Sequence, residues 1–200
     1  MKILVGCEFS GIVREAFRKH GHNAWSCDLL SADDKSEYHI QDDILNHLDE
    51  NWDIAIFHPP CTFLTISANK WYKDELDMFS ERQNSRIDAI KFFMQLINCN
   101  IPKVAVENPI GVMSSRYRKP DQILQPWMFG HGETKATCLW LKGLPKLEPT
   151  DIVSGREQRL HYLPKTDDRW KLRSITFQGI ADAMAKQWTK PIQRTLEVSF

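Results

Sequence analysis

The chain has 200 residues, 42% of them hydrophobic and 26% charged, which is enough to bury one core of ordinary size. Lysine plus arginine balances aspartate plus glutamate at 26 each, so no global field advertises a polyanionic partner, although a local patch fits inside a neutral total. Five cysteines (Cys7, Cys27, Cys61, Cys99, Cys138) form no C-x-x-C pair and are odd in number, which argues against a disulfide framework and against any metal cage. The opening "MKILVGCEFSG" has too short an apolar stretch for a signal peptide. No segment approaches the ~20 apolar residues needed to cross a bilayer. The expectation is a reduced, cytoplasmic protein with no membrane partner.

Apolar runs and amphipathic stretches alternate along the first half. "KILVGC" reads as a buried strand, and "SGIVREAFRKHG" as a helix with Ile12, Val13, Ala16 and Phe17 on one face, Ser10 as N-cap and Gly21 as its stop. "NAWSCDLL" is a second strand, "YHIQ" a short third, "DDILNHLDEN" a short helix, and "DIAIFH" a fourth strand, apolar throughout as if covered on both faces. "DELDMFSERQNSRIDAIKFFMQLINC" predicts a long helix, followed by the strand "KVAVEN". Such alternation predicts a parallel sheet with helices on both faces, in one α/β domain spanning residues 1–200. Residues 109–175 read as irregular: "PIGVMSSRYRKPDQILQPWMFGHGE" is loop-like, "TKATCLWLKG" a strand, and "LPKLEPTDIVSGREQRLHYLPKTDDRW" loop-rich. A closing helix is expected at about 177–190.

Three constellations carry chemistry. At "CEFSG" a glycine between strand and helix lets the backbone approach a ligand, and helix N-terminal amides offer donors. Asp28 ends the next strand, 17 residues after Gly11, where nucleoside-binding folds put the acid that accepts from ribose hydroxyls. An ordinary turn with a surface aspartate explains the same residues. In "HPPC" two prolines stop sheet pairing and stiffen the chain beyond the strand's carboxyl end, the edge where open α/β sheets bind ligands. Cys61, held there on a loop, is a candidate nucleophile. The other four cysteines read as structural, and His58 is a secondary candidate base. In "VAVENP", Glu107 and Asn108 end the neighbouring strand, so the Glu107 carboxyl is expected beside Cys61 with a raised pKa, as a proton donor.

"FSG", an acidic residue at the next strand end, "DDI", "PPC" and "EN", in that order, resemble the cytosine-5 DNA methyltransferases. The resemblance covers residues 3–110 and returns at "FQGIADAMAKQW". The whole chain looks like the compact methyltransferase-like proteins of bacteriophages and prophages, in segments such as "FGHGETKATCLWLKGLP". The resemblance implies a Rossmann-like class I sheet dependent on S-adenosylmethionine. It implies cofactor contacts at Cys7, Glu8, Phe9, Ser10, Gly11, Asp28, Leu29, Asp43, Ile44, Pro59 and Pro60. It assigns the chemistry to Cys61, Glu107 and Asn108, with Lys135, or Arg156 and Arg159, standing in for the family's paired arginines. Cys61 would attack carbon 6 of cytosine while Glu107 protonates the ring nitrogen, and carbon 5 would take the methyl group. Amino-methyltransferases carry an aromatic after their proline pair; a thiol there favours carbon.

The chain departs from the family pattern at Thr62 and Pro109, and it has no segment of useful size for reading several base pairs. The expected partner is DNA, single-stranded or with the cytosine flipped out, in a bacterial or phage-infected cell. Two alternatives stay open: the same chemistry on a free cytidine nucleotide, and a non-catalytic binding protein derived from this fold. "RYRKP", "DRWKLR" and "KWYK" combine cations with aromatics, as a single-strand groove would; solvated surface charge is their plainer reading.

Overall fold

The computed structural model describes residues 1–66 and 79–190, for 79 and 80 the backbone only. The expected start of the long helix at 74–78 and the "KWYK" run at 70–73 lie outside the described residues. Among those described, seven strands form one mixed sheet in the order β3-β2-β1-β4-β5-β7-β6. These are β1 (Lys2–Gly6), β2 (Asn23–Asp28), β3 (His39–Gln41), β4 (Ile54–Phe57), β5 (Lys103–Pro109), β6 (Gln122–Leu124) and β7 (Thr137–Lys142). The first five pair in parallel; β7 runs antiparallel to β5, and β6 antiparallel to β7. The parallel half is as the alternation predicts.

Period two explains the layers. Ile3, Val5, Ile54, Ile56 and Ala105 point to one face, where α1 (Ile12–Lys19) and α6 (Gln178–Trp188) pack with Val13, Phe17, Met184 and Trp188. Leu4, Ala55, Phe57, Val104 and Val106 point to the other, against Phe93, Leu96 and Ile97 of α2 (Phe79–Asn98) and against Trp140. Each fully buried Val, Leu, Ile or Phe among them contributes about 1.5–3 kcal/mol. Gly179 lets α6 seat against the Phe129 carbonyl, where a Cβ has no room.

Three expectations need correction. "DDILNHLDEN" makes only one 3-10 turn, Ile44–His47. The loop-like stretch after Pro109 holds α3 (Met113–Arg116), the edge strand β6 and a 3-10 turn at Pro126–Met128. The second loop-rich stretch holds α4 (Arg159–Tyr162) and α5 (Arg169–Ser174). These elements are three to six residues long, too short for a period to show.

Candidate functional site

The carboxyl ends of β1, β4 and β5 lie side by side. After β1 the backbone turns through Cys7 at φ 58° and Gly11 at φ 73°, both left-handed. A Cβ on Gly11 would run into the Arg14 guanidinium. Glu8 is buried, at 5% exposure, and caps α1: its carboxylate accepts from the Val13 amide at 2.7 Å and the Arg14 amide at 3.2 Å. Ser10, the expected cap, is only 3.5 Å from the Ile12 amide. The amides expected to serve a ligand therefore already serve Glu8. Phe9 is buried, with Trp170 edge-on to it at 5.8 Å.

A second group lies across the β2 end. Asp28 accepts from the Leu30 amide at 2.9 Å with one oxygen, and Asp43 accepts from the Leu45 amide at 3.0 Å with one oxygen. The Leu29 amide also bonds to Asp28, whereas the second oxygen of Asp43 has no hydrogen-bond partner among the described residues. Burial raises the Asp28 carboxyl above its ordinary value. The Cys7 thiol is pushed far up by burial and by the charges of Asp28 and Asp43, so these three groups face a common space. Leu29 is exposed beside them, whereas Ile44 is buried against Gly6 and belongs to the core. Cys7 is half-buried at a turn rather than inside an apolar element, and Cys99 is half-buried too; Cys27 and Cys138 are buried as expected. Burial pushes the Cys27 thiol up to about 12 and the Cys138 thiol up to about 11, which leaves neither reactive.

The third group gathers around the prolines. Pro59 is buried, and its carbonyl accepts from Asn108 Nδ2 at 2.9 Å, which ties the β5 end to the loop. Pro60 and Cys61 are exposed. The Cys61 carbonyl accepts from Leu64 and Thr65, and residues 64–66 are pinned to 110–112 by Val112 N to Leu64 O at 2.8 Å. Gly111 permits this crossing, since a Cβ there would strike the Leu64 carbonyl. The thiol of Cys61 is raised by desolvation and then by Glu107, against the pull of Lys135 and Arg173. Those three charges therefore bear on one sulfur.

Glu107 departs from expectation. Burial alone would raise it, but His58 Nδ1 lies 2.9 Å from Oε2, and this bond with the charges of His58 and Lys135 holds the carboxyl below its ordinary value. Ile56 pairs with Ala105 and Phe57 with Val106, so the next step along both strands sets His58 opposite Glu107. Of the expected cations, Lys135 acts on Glu107 and Cys61, and its Nζ donates to the Ile175 carbonyl at 3.2 Å. Arg156 stacks over Trp127 at 3.9 Å and Arg159 pairs with Glu133, so both are engaged with the segment between β6 and β7. Arg173, read earlier only as part of a basic run, is the second cation on Cys61. Among the described residues no cluster suits a metal ion, and no helix is long and apolar enough to cross a membrane.

No family model and no curated protein matches the chain. Solved structures do. The Entamoeba histolytica methyltransferase EhMeth aligns over 83% of this chain at 14% identity and TM-score 0.51. A Spodoptera frugiperda DNMT2 mutant aligns over 83% at 16% identity and TM-score 0.47. A protein described as a DNA modification methyltransferase encoded within an E. coli prophage aligns over 83% at 14% identity and TM-score 0.47. The chain spans 56% to 60% of the length of these structures. Sheet order, flanking helices and the likeness to EhMeth agree: the chain has the Rossmann-like methyltransferase fold.

Proposed function

We propose that the chain is an S-adenosylmethionine-dependent methyltransferase that methylates carbon 5 of cytosine in DNA through a covalent adduct to Cys61, with little sequence specificity. The observation that carries this reading is an exposed thiol at the sheet's ligand edge, under the charge of a carboxylate from the adjacent strand end. Asp28 and Asp43 suit the cofactor's ribose and adenine, since Asp28 ends β2 at the sheet's ligand edge and Asp43 keeps one carboxylate oxygen with no partner among the described residues. When bound, the cofactor supplies the methyl group on a sulfonium.

Cys61 gives up its proton to solvent and bonds to carbon 6, which makes carbon 5 electron-rich. Glu107 holds the pyrimidine edge, and the ring nitrogen gains a proton. After transfer a base removes the carbon 5 proton, the sulfur–carbon bond breaks, and the ring nitrogen gives its proton back, which restores the ring. The raised thiol means that Cys61 is protonated at neutral pH in the free protein, so Lys135 and Arg173 assist the thiolate as the adduct forms. A polymer substrate is favoured over a free nucleotide by α4 and α5. They present exposed Tyr162 and Trp170 together with Arg169, Lys171 and Arg173, the last reaching Cys61 electrostatically. Base extrusion or a single strand is required for the thiol to reach carbon 6.

Labelled cofactor offered with duplex DNA, single-stranded DNA, RNA and cytidine nucleotides tests the reading. Label is expected on DNA. Label on the nucleotide alone moves the chemistry to a small substrate, and cofactor binding without transfer marks a binding protein. Cys61→Ser should cut transfer at least ~10³-fold and abolish trapping on 5-fluorocytosine DNA. Normal turnover by that variant overturns the nucleophile.

A further inference from the structure

The mechanism needs a proton at the pyrimidine ring nitrogen, yet Glu107 is held in its ionised form and has no proton of its own to give. The group that touches it is His58, 91% buried by side chain, with Nδ1 at 2.9 Å from Oε2. Its other ring nitrogen, Nε2, is buried and has no hydrogen-bond partner among the described residues. The imidazole thus has one nitrogen on Glu107 and no second hydrogen bond among the described residues that competes for the ring.

We infer that His58 is a positioning residue acting through Glu107: it keeps that carboxylate ionised between turnovers and stores on Nδ1 the proton that Glu107 relays to the base. This rests on the proposed role of Glu107 at the pyrimidine. In the step, the bond from Nδ1 to its proton breaks and a bond from the ring nitrogen to a proton forms, with Glu107 between them. The imidazolium becomes neutral imidazole that keeps its Nε2 proton, the base gains the charge, and the proton returns from the ring nitrogen through Glu107 to Nδ1 as the sulfur–carbon bond breaks. The proton belongs to the pair rather than to either residue.

The charged groups around the pair fit this storage. Glu8 acts on His58 from the turn after β1, although Arg14 beside it is already matched by Glu15 and Asp34. Lys135 faces Glu107 from the segment before β7, and Cys138 faces it from β7. Cys61 faces it from the proline loop, with Arg173 of α5 behind the thiol.

His58→Asn tests the inference, because the amide keeps a donor near the Nδ1 position and cannot store a proton. With the proton store gone, burial should govern Glu107 and let it bind its own proton at higher pH. Transfer by the variant should fall progressively further behind wild type as pH rises from about 5 to 7, with KM for DNA unchanged. An equal loss at all pH values, or no loss, overturns the inference and leaves the methyltransferase reading standing. A second measurement needs no activity: difference infrared spectra against Glu107→Gln at pH 7. They should show an ionised carboxylate in the wild type and a protonated carboxyl in the His58→Asn background. An ionised Glu107 in both overturns the inference even if no methyl transfer is found.

Discussion

Two carboxylates flank β4, and they respond to burial in opposite directions. Glu8, at the end of β1, is 5% exposed and raised above its ordinary value; Glu107, at the end of β5, is 13% exposed by side chain and lowered. Desolvation is the largest influence on both. Glu8 feels the His58 charge without a hydrogen bond to it and accepts two backbone amides, which are only dipoles, while the nearby Arg14 charge is already shared with Glu15 and Asp34. Glu107 accepts from a ring that can itself carry a full charge, with Lys135 behind it. A charge-bearing donor outweighs burial where amide dipoles do not. One carboxylate therefore holds a helix, and the other is kept ionised beside a histidine, as the proposed proton relay requires.

The largest expected effect comes from removing the ionised partner. Glu107→Gln should reduce methyl transfer about 10²- to 10⁴-fold, measured as label incorporated into DNA. Its effect on folding should depend on pH in a fixed direction. A lowered carboxyl contributes stability that is present above its unfolded value and lost as pH falls through the folded one. Denaturant unfolding should therefore find wild type ahead of Glu107→Gln at pH 7, with the gap closing in acid. A gap that widens in acid would mean that His58 does not hold the carboxylate.

This contrast was only half legible in the sequence. The parallel strands were readable because "KILVG", "AWSC" and "IAIF" are short apolar runs between turn residues, and the Cys61 and Glu107 positions followed from strand ends meeting at one edge. The sign of the Glu107 shift was not, because it depends on register across two strands, and no single strand contains its partner. His58 reads as a terminal-strand residue until Phe57 is paired with Val106. The cap on α1 was misread for a similar reason: Ser10 stands at the conventional position, but Glu8 reaches back over the left-handed Gly11 to take the amides. Beyond Pro109, β6 was hidden because three residues beside Pro120 and Asp121 carry no pattern, and β7 alone makes them a strand.

The next effect falls on folding rather than chemistry. Glu8→Ala leaves the Val13 and Arg14 amides without acceptors in a buried place, which should cost about 2 kcal/mol. For a chain of this size that corresponds to a melting temperature lower by roughly 4–8 °C. The pH dependence should oppose that of Glu107. A raised carboxyl contributes stability that is full below its unfolded value and lost as pH rises through the folded one. Glu8→Gln, which stays neutral, should therefore gain on wild type as pH rises from 4 to 8, in paired thermal melts.

The smallest expected effect separates the two readings of the cap. If Ser10 closed α1 in the ordinary way, Ser10→Ala would cost about 1 kcal/mol. Its hydroxyl instead lies 3.5 Å from the Ile12 amide and 3.5 Å from Glu8 Oε1, at the limit of hydrogen bonding for both. The loss in denaturant unfolding should stay below about 0.5 kcal/mol. It should also vanish in a Glu8→Ala background if the hydroxyl acts only by steadying that carboxylate. A loss of the full size in both backgrounds would return the cap to Ser10 and leave the burial of Glu8 without a purpose in the helix.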